Sequence, residues 1–275
     1  MNTTYLHTND GLRLVLQTWQ PPEAKAVIIV VHGLGEHGGR YKKLAEMLTS
    51  EGYAVVAYDQ RGFGLSEGKR GHISNYEVLL QDLGIVMEKV EVMFPDIPHF
   101  LYGHSMGGNL VLNYGLRCKP KIAGIIATGP WLRLAFDPPS WKIALAKIMN
   151  FIMPAFTQSN GLNPRDLSHD AQIVKAYGSD PLVHDRISAR FFMELYQAGL
   201  WALNNASQFY LPLLLMHGSA DRLTSAEASR QFAEQVPHNC IFKMWPGMYH
   251  ELFNEVHGNE VAGYMLTWLR DLVNK

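Results

Sequence analysis

Gly103-His104-Ser105-Met106-Gly107 sets a hydroxyl between two glycines, each two positions away. A serine hydroxyl is a weak nucleophile near neutral pH, so it needs a base to take its proton and an acid to orient that base. Small residues on either side permit the tight, strained strand-to-helix turn that exposes such a hydroxyl. Further along stand Asp221, in HGSADRLTS, and His250, in PGMYHELF, giving the chain order Ser, Asp, His. Each follows a β-rich run, LPLLLMHG and CIFKMW, so each is expected on a loop at the end of a strand. In that arrangement Ser105 attacks an acyl carbon, His250 takes the proton and Asp221 orients the imidazole. Taken singly, Ser105 also reads as a structural turn, Asp221 as an Asx turn or helix cap, and His250 as an incidental member of a set of 12 histidines. The shared order and strand-end placement favour the triad, and His104 reads as a packing residue beside the nucleophile.

A tetrahedral intermediate carries an oxyanion that needs preorganised donors. Met106 supplies one backbone amide. The second is expected from Leu34 in His32-Gly33-Leu34-Gly35, the loop after AVIIVV. The same loop also fits GxGxxG over Gly33 to Gly38, with Asp59 about twenty residues beyond its end, the spacing of a dinucleotide-binding oxidoreductase. Against that reading, Glu36 puts an anion where a pyrophosphate has to sit, and Ser105, Asp221 and His250 are left without a purpose. A metal reading of His32, Glu36 and His37 lacks HExxH spacing and needs a distant ligand. A catalytic fold retained as a binding module would show in a broken triad, whereas all three members are present.

The elements that must position these residues alternate along the first part of the chain. AVIIVV, YAVVAYD, HFLYGH and IAGIIAT read as strands; YKKLAEMLTSEG, VLLQDLGIVMEKVEVM and a segment from Met106 read as helices. That alternation is the pattern of a mostly parallel, doubly wound α/β sheet flanked by helices. From Gly129 to Gln208 it gives way to Pro-rich breaks and helical segments before LPLLLMHG resumes it, so the expected organisation is core over 1–128, an inserted helical cap over 129–208, and core again over 209–275. Val261, Tyr264, Met265, Trp268, Leu269 and Leu272 share one face of a final helix.

With 47% hydrophobic and 18% charged residues, the 275-residue chain has the composition of a globular enzyme, and a net charge of -1 provides no field to gather nucleic acid. Cys118 and Cys240 lack CxxC or zinc spacing; paired, metal-binding and buried readings remain, the last being commonest. The N-terminal MNTTYLHTND has no signal-peptide character, so a cytoplasmic location is expected. No run is long enough to span a bilayer, but Trp141 to Phe156 is apolar enough to touch its surface.

His32-Gly-Leu-Gly-Glu-His-Gly-Gly-Arg-Tyr41, Asp59-Gln-Arg-Gly-Phe-Gly-Leu-Ser66, the GHSMGG run and Gly218-Ser-Ala-Asp-Arg222 together resemble the monoacylglycerol lipases and their lysophospholipase-like relatives, over nearly the whole chain. The resemblance implies an α/β-hydrolase fold with a mobile cap, and hydrolysis of a monoacylglycerol or similar single-chain lipid ester without metal or organic cofactor. Lysophospholipase and general carboxylesterase activities are the alternatives. It matches Ser105, Asp221 and His250 to the triad, Leu34 and Met106 to the oxyanion amides, and Glu36, Arg40 and Tyr177 to a polar recess for the head group; Glu36 and Arg40 also read as an ion pair that fixes the loop. Mammalian members carry a second histidine three positions after the catalytic one, where this chain has Phe253, implying a more apolar exit open to alkyl as well as glycerol esters. Within that cap, Trp141 to Phe156 carries too many apolar residues for one narrow stripe: either it is buried on several faces, the usual case, or part of it faces lipid and lines an acyl channel, and a shared role is favoured, with Lys142 and Lys147 reaching toward head groups.

Overall fold

In the computed structural model, which describes residues 1–236 and 238–274, the runs buried from end to end become the strands of one sheet. A hairpin of β1 (Asn2–His7) and β2 (Arg13–Trp19) opens the chain. There follow β3 (Ala26–Val31), α1 (Lys42–Ser50), β4 (Tyr53–Asp59), α2 (Glu77–Met93), β5 (His99–His104), α3 (Met106–Cys118) and β6 (Gly124–Thr128). The next segment holds α4 (Ser140–Ile152), β7 (Thr157–Ser159), α5 (Ala171–Ser179), β8 (Arg186–Ser188) and α6 (Ala189–Asn204). β9 (Leu213–Gly218), α7 (Ala226–Glu234), β10 (Cys240–Trp245) and α8 (Gly258–Val273) complete it.

The strand order is β1-β2-β4-β3-β5-β6-β9-β10, and only β2 runs against the rest. Because successive side chains of a strand point to opposite faces, each central strand feeds two cores. Val27, Ile29 and Val31 pack under α2, α3, α6 and α7 with Leu83, Leu110, Leu195 and Phe232. Ile28 and Val30 pack under α1 and α8 with Leu48, Met265 and Leu269. Burial on both faces is why these strands read as unbroken Val/Ile/Leu runs instead of alternating ones. Truncating a side chain such as Leu110 to alanine costs about 2–5 kcal/mol.

The segment between β6 and β9 divides into two kinds of structure. α6 is built into the core: Phe191, Leu195, Ala198 and Ala202 are buried, and the Ala198 carbonyl accepts the Asn113 amide of α3 at 3.2 Å. α4 has no buried residue. No helix among the described residues is long and apolar enough to cross a membrane. Both cysteines are free thiols, and Cys118 is exposed, against the buried reading, because it ends α3 on the solvent side.

Candidate active site

Ser105 sits between β5 and α3 with φ 55° and ψ -114°, a conformation that L side chains rarely adopt. Its neighbours explain why the turn holds. A Cβ on Gly107 would strike the Val31 carbonyl, and one on Gly103 would strike the Gly107 carbonyl, so both flanking positions need glycine for the helix to close onto the sheet. Backbone hydrogen bonds brace the serine on both sides, its N–H donating to Thr128 at 3.0 Å and its carbonyl accepting from Trp131 at 3.0 Å.

Asp221 and His250 arrive from loops after β9 and β10, which are parallel neighbours and so end at the same edge of the sheet. His250 Nδ1 lies 2.7 Å from Asp221 Oδ2. The carboxylate also accepts the Leu223 N–H at 2.8 Å and the Thr224 N–H at 3.0 Å on Oδ1, and the Thr224 hydroxyl at 2.9 Å on Oδ2. His217 Nε2 stands 3.1 Å from the same Oδ2. Burial disfavours the Asp221 anion, but His250 and His217 outweigh it by charge and hydrogen bond and hold its pKa well below the ordinary range. An anion only accepts, so His250 carries its proton on Nδ1 and keeps an Nε2 lone pair. Burial lowers the His250 pKa and Asp221 raises it by charge and hydrogen bond; the net shift is upward.

Ser105 and His250 border one cavity of about 460 Å³, together with Gly33, Leu34, Glu36, Tyr177 and Glu251. Its remaining wall is largely apolar, with Trp131, Leu134, Ile143, Leu145, Met149 and Phe192 among the lining residues. A Cβ on Gly33 would lie 3.3 Å from Ser105 Cβ, which puts the loop after β3 against the nucleophile; Met106 opens α3 directly after it. His104 contacts Thr128 through Nδ1 at 3.1 Å and meets the His250 ring at a tilt, 4.6 Å between centroids; burial, with His250 adding to it, pulls its pKa down to about 4 and keeps it neutral.

The loop after β3 is held by a buried ion cluster. Glu36 Oε1 accepts the Gly33 N–H at 2.6 Å and the Tyr41 hydroxyl at 2.7 Å, while Oε2 pairs with Arg40. Arg40 also binds Glu251 through two hydrogen bonds of 2.7 and 2.9 Å, and its guanidinium lies 4.8 Å from the centre of the Tyr177 ring. Burial opposes the charge on Glu36, yet Arg40, His104, His32 and Tyr41 hold its pKa at about 2. Glu36 and Tyr177 therefore reach the cavity, whereas Arg40 stands behind Glu36 outside its lining. Phe253 packs edge-on against Tyr102 at 5.6 Å and lines a separate small pocket behind the ion cluster, so it leaves the polarity of the main cavity unchanged.

The GxGxxG reading fails on the same geometry. Asp59 is buried, with one carboxylate oxygen on the Gly38 N–H at 2.8 Å and the other on the Leu65 N–H at 2.8 Å, so it ties two loops together out of reach of a ribose. His217, Thr224 and Glu251 were not singled out by sequence reasoning; the first two surround Asp221 and the third anchors Arg40.

The fold and site define a serine hydrolase of the α/β-hydrolase type. Residues 22–257 match the profile of the family described as Hydrolase_4, serine aminopeptidase, S33, and the chain belongs to that family. It is 31% identical over 262 residues to a monoacylglycerol lipase of Mycolicibacterium smegmatis, covering 94% of this chain and 93% of the relative. It is 38% identical over 272 residues to an uncharacterized abhydrolase domain-containing protein of Dictyostelium discoideum, but spans 98% of itself and only 29% of that longer protein. Among solved structures, a Paleococcus ferrophilus monoacylglycerol lipase superposes with a TM-score of 0.86 at 37% identity, covering 95% of this chain and 98% of that one.

Proposed function

We propose that this chain hydrolyses monoacylglycerols to fatty acid and glycerol. The observation that carries the reading is the lining of the cavity: a largely apolar wall suited to an acyl chain is shared by Ser105 and His250 with the polar residues Glu36, Glu251 and Tyr177. Likeness to the monoacylglycerol lipases of Mycolicibacterium smegmatis and Paleococcus ferrophilus supports it.

In the mechanism that follows, His250 Nε2 takes the Ser105 hydroxyl proton as Oγ adds to the ester carbonyl. The oxyanion rests on the Leu34 and Met106 amides. The C–O bond to glycerol then breaks, His250 gives its proton to the departing alkoxide, and the acyl group stays on Ser105. Water, deprotonated by the same histidine, releases the fatty acid and restores the serine. Tyr177 contacts the glycerol hydroxyls, and Glu36, with Arg40 behind it, holds the oxyanion loop while bordering the head-group end.

The cap helix supplies access to lipid. One side of α4, with Ile143, Ala146 and Met149, lines the cavity; Ile148 and Phe151 on the other are 54% and 89% exposed, and Ile152 lies beside them. A helix apolar on both sides needs a second apolar contact, and a bilayer or micelle surface suits it, with Lys142 and Lys147 near the head groups.

Fatty-acid release from a long-chain monoacylglycerol, the matching lysophospholipid, a triacylglycerol and a short soluble ester tests the reading. Strong preference for monoacylglycerol is expected, with Ser105→Ala lower by about 10⁶ in turnover. Turnover of the short ester alone would make the chain a general carboxylesterase.

A further inference from the structure

The loop after β3 is gripped from two sides, and Glu36 holds one of them. On the other side, His32 Nδ1 lies 2.8 Å from the Gly33 carbonyl oxygen. The far end of the ring is secured as well: Gln60, the residue following β4, donates its backbone N–H to His32 Nε2 at 2.9 Å. A donor facing Nε2 makes that nitrogen an acceptor, so the ring proton sits on Nδ1 and is donated to Gly33. The edge of Phe63, 5.5 Å away between centroids, packs against the ring. His32 is fully buried, and burial outweighs Glu36 and Asp59 to keep it neutral. With both nitrogens engaged, His32 is neither a base nor a metal ligand.

We propose that His32 is a positioning residue for the oxyanion site, its Nδ1–H fixing the Gly33–Leu34 peptide plane so that the Leu34 N–H faces the acyl carbon on Ser105. The reason is covalent. A peptide unit is planar and trans, so holding the Gly33 carbonyl on the His32 side turns the Leu34 N–H to the opposite side. Gly33 itself lies against Ser105 and the Leu34 side chain helps line the cavity, so that opposite side is where the reacting carbonyl has to sit. Glu36, by accepting the Gly33 N–H, removes the remaining freedom of the plane before it. A preorganised donor is worth far more than one that must reorient during the reaction. This inference rests on the ester-hydrolase reading.

Two substitutions separate positioning from packing. His32→Asn puts an amide nitrogen where Nδ1 stands, keeping a donor for Gly33 and losing the acceptor for Gln60. His32→Gln does the reverse. We would measure kcat and KM on a soluble ester, inhibition by an alkyl boronic acid whose tetrahedral adduct puts an oxygen in the oxyanion site, and thermal unfolding of each variant. For His32→Gln the expected result is a kcat lower by about 10- to 100-fold with KM little changed, and boronic acid affinity lower by the same factor. His32→Asn is expected to keep most of its activity even where its unfolding temperature falls as far. Equal losses in the two variants, losses that track unfolding temperature, or a more active His32→Gln would overturn the assignment. In the unsubstituted protein, long-range ¹H–¹⁵N spectra should show His32 as the Nδ1–H tautomer, and an Nε2–H tautomer would overturn it without any variant. A wild-type protein that neither cleaves esters nor binds the boronic acid would take down the ester-hydrolase reading, and this inference with it.

Discussion

Asp221 and Phe151 stand in two regions that border the same cavity and are built in opposite ways. The Asp221 side chain is sealed from solvent among two histidines, a threonine hydroxyl and two backbone amides. Phe151 is 89% exposed on a helix with no buried residue. Each Asp221 oxygen has at least two partners, so the geometry is over-determined and the charge holds its state. Around Phe151 there is little to fix the helix in one place beyond α6 and the loops at its ends. The proposed mechanism assigns chemistry that needs closely placed atoms to the first region, and admission of a variable apolar chain to the second.

Substitutions should divide along that line. Asp221→Asn, which keeps the shape but loses the charge and offers a donor toward His250, is expected to lower kcat by about 10⁴ while leaving KM and unfolding temperature near wild type. A loss below about tenfold would mean that the carboxylate does not orient the base. Next, Arg40→Met strands Glu36 and Glu251 as unpaired buried carboxylates and should cost about 3–5 kcal/mol of stability in chemical denaturation. A change inside the error of the measurement would show that the cluster is not structural.

The third expectation concerns pH. Only neutral His250 accepts a proton, and its pKa is raised in the folded protein, so kcat/KM should climb with pH through a midpoint above the ordinary histidine value of about 6.5 and fall about tenfold per unit below it. A midpoint below that value, or a flat profile with chemistry rate-limiting, would contradict the assignment. The smallest effect belongs to the cap. Ile148→Ser with Phe151→Ser should leave a soluble ester unaffected while reducing, by about threefold or more, both sedimentation with lipid vesicles and turnover of vesicle-borne substrate. Equal losses on both substrates would place α4 with the rigid region instead.

The central strands from β3 to β9 in the sheet were legible because strands buried on both faces show as unbroken apolar runs, and the elbow around Ser105 because a strained turn leaves small residues in its sequence. The β1–β2 hairpin went unread. It is short, largely solvent-facing along β1, and tied down by contacts remote in sequence, such as Arg61 to Asp10 at 2.9 Å. The same limit explains Glu251, whose partner Arg40 lies 211 positions away, and His217, which looked like the end of a strand. Phe253 was misplaced for a related reason: sequence spacing set it beside His250, but the chain turns after Glu251 and packs the partly buried ring against Tyr102. For Glu36 and Arg40 the sequence left an ion pair and a head-group contact in balance, and the pairing of both Glu36 oxygens inside the protein accounts for the first.

The most direct test of the central claim is to quench the enzyme during turnover of a long-chain monoacylglycerol and map acyl adducts by peptide mass spectrometry. A fatty-acyl ester on Ser105 is expected in the unsubstituted protein, scarce in His250→Ala, where acylation lacks its base, and absent from Ser105→Ala. Ester cleavage in Ser105→Ala at the wild-type rate, or an acyl adduct confined to another residue, would contradict it.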